Sequence, residues 1–292
     1  MQVTKAVITA AAPNQNTLPL QRLVDREGRD KTALQFIVEE TLSAGIEEIC
    51  VIVQPGDAKA YEVAAGEHLG SLRFVEQPEP LGYADAIFRA RDFIEQKPFL
   101  HLVGDHLYLS SSDLTCAKQL VQVASEFECS VSAVQSTREN KLPYFGIIAG
   151  THVPRYERLY DVVRVIEKPT PTLAEQELVT PGLRSGHYLG FFGMHVLMPT
   201  VMDAIEQLLA SPTKSRPTLS DAAALMPSRE RYLAYQLQGN RYNIGIKYGL
   251  LIAQLAIGLS GRDRDQILTE MLELVANRPA EACAAQEGQA SR

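Results

Sequence analysis

Apolar strand-like runs alternate with helical stretches through the first half of this chain, and that alternation most narrows what it can fold into. Val3–Thr9, Glu48–Val53, Leu72–Val75, Phe99–Val103 and Ser130–Gln135 are short and mostly apolar. Runs of this kind suit strands covered on both faces. Between them, Lys31–Ala44 puts Leu34, Ile37, Val38 and Leu42 on one helical face and stops at Gly45. Tyr83–Glu95 and Leu114–Ser125 also read as helices. The pattern predicts an α/β fold, Rossmann-like, with a mixed, mostly parallel sheet and helices on both faces. Ligands of such sheets sit at the carboxyl ends of the strands.

The rhythm changes after about residue 140. Phe145–Ile148, Val162–Glu167 and Tyr188–Val196 read as strands separated by irregular polar stretches, a sheet extension able to cover a ligand. Helices are expected at Thr200–Leu209 and Ser220–Leu225, and strands at Arg231–Leu237 and Tyr242–Ile246. Tyr248–Leu259 and Arg262–Ala276 follow as helices, and Pro279–Arg292 is Ala/Gln/Gly-rich and expected to be disordered. The expected division is an α/β domain over 1–246, a helical portion over 247–278 and a tail over 279–292.

The net charge of −7 and the lack of a long basic run argue against a nucleic-acid groove. No segment reads as a signal peptide, and Tyr248–Leu259 is too short to span a bilayer. The four cysteines, Cys50, Cys116, Cys129 and Cys283, form no C-x-x-C pair. Reduced, mostly buried thiols in a cytoplasmic protein are the expectation.

The first strand runs into Ala10-Ala11-Ala12-Pro13-Asn14-Gln15-Asn16-Thr17-Leu18-Pro19. A loop between an apolar strand and a helix is placed to hold phosphate, usually through glycine N–H groups. This loop has no glycine, and no Lys or Arg occurs until Arg22.

Later segments resemble the sugar-1-phosphate nucleotidylyltransferase family, most closely its bacterial UTP:glucose-1-phosphate uridylyltransferases. Gln77-Pro78-Glu79-Pro80-Leu81-Gly82-Tyr83-Ala84-Asp85-Ala86 resembles the Q-x-x-x-x-G-x-x-x-A stretch, where the Gln amide and the Gly backbone read a pyrimidine edge. Leu100–His106 resembles the strand ending in G-D, which implies Mg²⁺ on Asp105. His101 and His106 are expected on opposite faces of a strand, as structural residues. Tyr144-Phe145-Gly146 resembles the Y/F-G element, with the Gly146 backbone against the sugar. Val165-Ile166-Glu167-Lys168-Pro169 is similar to V-x-E-K-P, which implies Glu167 on sugar hydroxyls and Lys168 on phosphate. Asn243-Ile244-Gly245 with Gly249 resembles D-x-G-x-x-x-G, with Asn243 in place of a second metal-ligating Asp and Lys247 near phosphate.

In the first loop the resemblance is to A-G-x-G-T-R-x-x-P. Ala11 and Ala12 supply the nucleotide-binding backbone, Ala12 and Asn14 stand where glycines belong, and Asn16 stands in place of an Arg. Arg22 is the nearest basic residue and the candidate to take the catalytic charge. The resemblance implies that a nucleoside triphosphate, UTP in the first instance, and a sugar 1-phosphate give an NDP-sugar and pyrophosphate. It also implies homo-oligomers built through the C-terminal helices. The altered loop leaves a second reading open, a weakened or inactive homologue that binds a nucleotide sugar as a sensor or partner subunit. A glycosyltransferase is disfavoured, because Gly104-Asp105-His106 is not a D-x-D motif.

Overall fold

The computed structural model describes residues 1–211 and 216–277. Its strands are β1 (Lys5–Thr9), β2 (Arg22–Val24), β3 (Asp30–Thr32), β4 (Glu48–Val53), β5 (Leu72–Glu76), β6 (Phe99–Val103), β7 (His106–Ser110), β8 (Ser130–Arg138), β9 (Gly146–His152), β10 (Leu159–Glu167), β11 (His187–Leu197), β12 (Tyr232–Gln236) and β13 (Gly239–Asn243). The main sheet has the order β5-β4-β1-β6-β11-β8-β12-β10-β9. β4, β5 and β6 run parallel to β1, whereas β11 and β10 run against their neighbours. The sheet is therefore mixed and mostly parallel in strand direction, as expected.

Alternate residues of β1 feed two cores. Ala6 and Ile8 join one, which includes Leu34, Ile37 and Val38 of the helix Ala33–Ser43 and Ala253 and Ile257 of the helix Gly249–Leu259. Val7 joins the other, with Ala84 and Ile87 of Tyr83–Phe88 and Val201 and Ile205 of Thr200–Ala210. Both faces of the sheet are thus covered, which is why its first strands are apolar without alternation. A capping box starts Ala33–Ser43: Thr32 Oγ1 accepts from the Gln35 N–H, and Gln35 Oε1 accepts from the Thr32 N–H at 2.8 Å. The free thiols Cys50, Cys116 and Cys129 are buried, and Cys283 and the expected disordered tail lie outside the described residues. Among the described residues, no helix is long and apolar enough to cross a membrane.

Several details differ from expectation. The first loop does not lead directly into a helix; a short turn at Leu18–Leu20 and the β2–β3 hairpin intervene. The single helix expected over Tyr83–Glu95 is broken into Tyr83–Phe88 and Arg91–Ile94, where Ala90 N–H turns back to Ile87 O. The strand expected over Tyr242–Ile246 lies earlier, at Gly239–Asn243, because the Asn243 side chain caps a turn by accepting from the Gly245 N–H at 2.8 Å. Its partner β7 starts just after Asp105, so β7 and β13 form a ribbon beyond the end of β6.

Candidate active site

A cleft of about 480 Å³ opens where β1 and β6 end, walled by the first loop, the Gln77–Tyr83 turn, the β7–β13 ribbon and the exit of β10. Ala11, Ala12, Gln77, Gly82, Asp105, Lys168 and Asn243 all line it. Seven candidates drawn from distant parts of the sequence therefore meet in one place.

The ribbon brings Asp105 and Asn243 together. Asn243 pairs with His106 in register, and the Ile244 N–H donates to the Asp105 carbonyl at 2.9 Å. The Asp105 carboxylate accepts from His106 Nδ1 at 2.7 Å. Burial pushes the Asp105 pKa up, but the charge and hydrogen bond of His106 outweigh it and hold the carboxyl below its usual range. His106 lines the cleft and orients Asp105, which corrects the expectation of a purely structural role. The two histidines also lie on different strands, not on opposite faces of one. His101 is structural as expected: its Nδ1–H donates to the Val7 carbonyl at 3.0 Å, so its Nε2 accepts from the Tyr83 hydroxyl at 2.7 Å.

Gln77 is partly committed to the fold. Its Nε2 donates to the Gly82 carbonyl at 3.1 Å and to Asp85 Oδ2 at 2.8 Å. Only its amide oxygen stays free, so the side chain offers the cleft an acceptor alone, not the paired donor and acceptor expected. Gly82 has φ +118, a conformation closed to side-chain-bearing residues.

Gly146 and Glu167 face each other across the β9–β10 pair. Neither borders the cleft directly; they flank Lys168, whose N–H donates to the Phe145 carbonyl at 3.1 Å. Ser220 Oγ donates to Glu167 Oε2 at 2.5 Å, and Lys168 Nζ lies 3.6 Å from Glu167 Oε1. Lys168 has φ +46, which sets the abrupt exit before Pro169.

Two expected cations stand elsewhere. Arg22 is exposed on β2 and pairs with Asp30 at 3.6 Å, so it does not supply charge to the cleft. Lys247 is exposed with its amine 5.1 Å from the Tyr248 ring centre. Instead Arg216, from the segment before the helix Leu219–Leu225, joins Lys168 as a cation in the lining. No motif marks Arg216 in the sequence; only its position across from Gly82 reveals it.

The first loop keeps its shape without glycine. Asn14 takes φ +63, which asparagine tolerates, and Ala12 is not among the positive-φ residues. Asn16 donates to Asp57 Oδ2 at 2.7 Å, and its carbonyl accepts from the Tyr61 hydroxyl at 2.6 Å. The loop is thus tied to the fold through the uncharged Asn16, where the family pattern carries an Arg.

Among the described residues, no group of three or more His, Cys, Asp or Glu gathers as a metal cage. Asp105 and the Asn243 amide offer hard oxygen donors beside a cleft, a set that suits a cation sharing its ligands with substrate phosphates.

Residues 22–253 match the family described as Nucleotidyl transferase. UTP–glucose-1-phosphate uridylyltransferase 1 of Streptococcus pyogenes is 28% identical over 282 residues, covering 86% of this chain and 87% of its own. The UTP–glucose-1-phosphate uridylyltransferase of Staphylococcus epidermidis is 28% identical over 298 residues, with 93% and 98% covered. Among solved structures, UDP-glucose pyrophosphorylase from Acinetobacter baumannii superposes with TM-score 0.73 at 22% identity, covering 94% of this chain and all of its own. A UDP-glucose pyrophosphorylase complexed with UDP-glucose gives 0.71 at 22%, covering 87% and 98%.

Proposed function

Because the chain belongs to the nucleotidyl transferase family, we propose that it transfers a nucleotidyl group from UTP to glucose 1-phosphate, giving UDP-glucose and pyrophosphate. The observation that carries this reading is the convergence of Asp105, Asn243, Gln77 and Lys168 on one cleft at the strand ends. The phosphate oxygen of the sugar attacks the α-phosphorus in line; the new P–O bond forms as the bond to the β-phosphate oxygen breaks. No covalent enzyme intermediate is needed, so positioning and charge do the work. Lys168 holds the attacking phosphate, Glu167 and the Gly146 backbone hold the sugar, and the Gln77 oxygen accepts from the base. Mg²⁺ bound by Asp105 and Asn243 would shield phosphate charge.

The test is pyrophosphate release by the full chain with Mg²⁺, each common nucleoside triphosphate being paired with glucose 1-phosphate. Turnover with UTP supports the proposal. UDP-glucose binding with no release from any pair would favour the second reading, a non-catalytic binder, for which the neutral first loop and Asn243 are the supporting observations. The exposed apolar residues Leu251, Ile252, Leu272, Leu274 and Val275 of the last two helices support association of copies through this region.

A further inference from the structure

Among the described residues, Arg241 stands near the cleft with a buried donor that makes no hydrogen bond. It sits on β13, opposite Tyr108 of β7, two residues before Asn243. Residues two apart on a strand share a face. Arg241 therefore points to the side of the ribbon that presents Asn243 and His106 to the cleft. Its guanidinium carbon lies 3.7 Å from the centre of the Phe145 ring and 5.9 Å from that of Phe192. Phe145 is flanked by Tyr144, which lines the cleft, and its carbonyl accepts from the N–H of Lys168, which also lines it. The guanidinium thus rests on the ring of Phe145, one residue along the chain from the cleft-lining Tyr144, just behind the lining itself.

Among the described residues this cation has no counter-charge. Its Nη1 is enclosed and makes no hydrogen bond. Its guanidinium is a fixed cation, planar and with edge donors that the ring of Phe145 cannot satisfy. Stacking on Phe145 occupies a face of the guanidinium and leaves its edge donors free. A buried charged donor without a partner is costly, and an anionic oxygen supplied by a ligand removes that cost.

We propose that Arg241 is a binding residue of this cleft, pairing through its edge with an anionic oxygen on the sugar half of the ligand. The inference rests on the reading of the cleft as a nucleotide-sugar site. The anion is either the phosphate bonded to the sugar or a carboxylate on the sugar ring, and one set of titrations separates them.

The full chain is titrated calorimetrically with UMP, UDP-glucose and UDP-glucuronate, alongside Arg241→Gln, Arg241→Lys and Phe145→Leu. Loss of a charge-assisted hydrogen bond predicts about 10–100-fold weaker nucleotide-sugar binding by Arg241→Gln, with UMP binding unchanged. Arg241→Lys should recover part of the loss, and Phe145→Leu should copy part of it without altering charge. Equal losses for both nucleotide sugars assign the sugar phosphate as the partner. A wild-type preference for UDP-glucuronate that Arg241→Gln abolishes assigns the carboxylate. Unchanged nucleotide-sugar binding by Arg241→Gln overturns the proposal and leaves the reading of the cleft intact. Loss of UMP binding in step with the others also overturns it, by making Arg241 part of the fold alone. Wild-type protein that binds neither nucleotide sugar overturns the reading itself, and this proposal with it.

Discussion

Gly146→Ala tests whether close packing at the edge of the sheet sets the position of the Glu167 carboxylate. A Cβ on Gly146 would overlap Ser220 Oγ and lie 2.7 Å from Phe191 Cδ2 and 3.1 Å from Glu167 Oε2. Gly146 is not in a positive-φ conformation, so space alone decides the outcome. Ser220 can rotate away, but only by giving up its 2.5 Å hydrogen bond to Glu167. Phe191 is 7% exposed and packed in the core, so it has little room to retreat. Overpacking of this kind costs about 1–3 kcal/mol. Loss of the bond to a charged acceptor adds up to about 1.5–3 kcal/mol, reduced here because Glu167 keeps 26% of its side-chain exposure. The expected total is about 2–4 kcal/mol. Urea unfolding should give a lower midpoint with an unchanged slope, and UDP-glucose should bind at least about ten-fold more weakly while UMP binds normally. In a Ser220→Ala background the same substitution should cost less, because the overlapping oxygen is gone. Stability within about 0.5 kcal/mol of wild type, or an equal cost in both backgrounds, would refute the reasoning.

Two further outcomes follow from the geometry. Arg22→Ala should leave pyrophosphate release unchanged and alter stability by less than about 0.5 kcal/mol, since its ion pair with Asp30 is exposed; a large loss of turnover would return Arg22 to the site. Burial raises the Glu40 pKa from 4.5 to about 7, against the opposing N–H groups of Ala117 and Cys116. Between those values the folded chain holds a proton the unfolded chain has lost, so this contribution to stability falls as pH rises. Glu40→Gln should therefore gain up to about 3 kcal/mol over wild type on going from pH 4.5 to pH 8, read from urea midpoints. A constant difference across that range would show that Glu40 ionises normally.

The strands of the sheet's first half were legible because burial on both faces makes them continuously apolar. Phe99–Val103 and Glu48–Val53 have the expected ends. The β2–β3 hairpin was not legible: it has three residues per strand, most of them polar, and only Leu23 is buried. Neither was β7, whose His106-Leu107-Tyr108-Leu109 follows β6 after two residues and reads as a continuation of it. At the candidate site, residues inside compact motifs were legible, because Glu167, Lys168 and Asp105 stand at or just past fixed strand ends. Arg216 and Ser220 belong to no motif, and His106 reads as structural, because the contacts of all three come from what lies opposite them in space. Arg22 was chosen for its nearness in sequence to the first loop, and the intervening turn and hairpin carry it elsewhere.

The balance of charge around the cleft can be probed from Asn243. Its Oδ1 already accepts from the Gly245 N–H, and the β7–β13 register holds its backbone beside Asp105. Asn243→Asp can keep that bond with one oxygen and present the other, now charged, to the cleft. Two unit charges at about 4 Å attract by roughly 1 kcal/mol in water, so a divalent cation should gain about 2 kcal/mol from the new carboxylate. The Mg²⁺ concentration that half-saturates UDP-glucose binding should then fall by about ten-fold or more. Without Mg²⁺ the variant should be less stable than wild type, because two carboxylates repel in one cleft. Unchanged Mg²⁺ dependence would mean that Asn243 serves only the turn. The neutral loop and the neutral Asn243 sharpen this test, because both remove charge where phosphates and a cation would meet. If one new carboxylate tightens the cation while the loop stays neutral, then the charge at position 243, not the first loop, limits how tightly this cleft holds the cation.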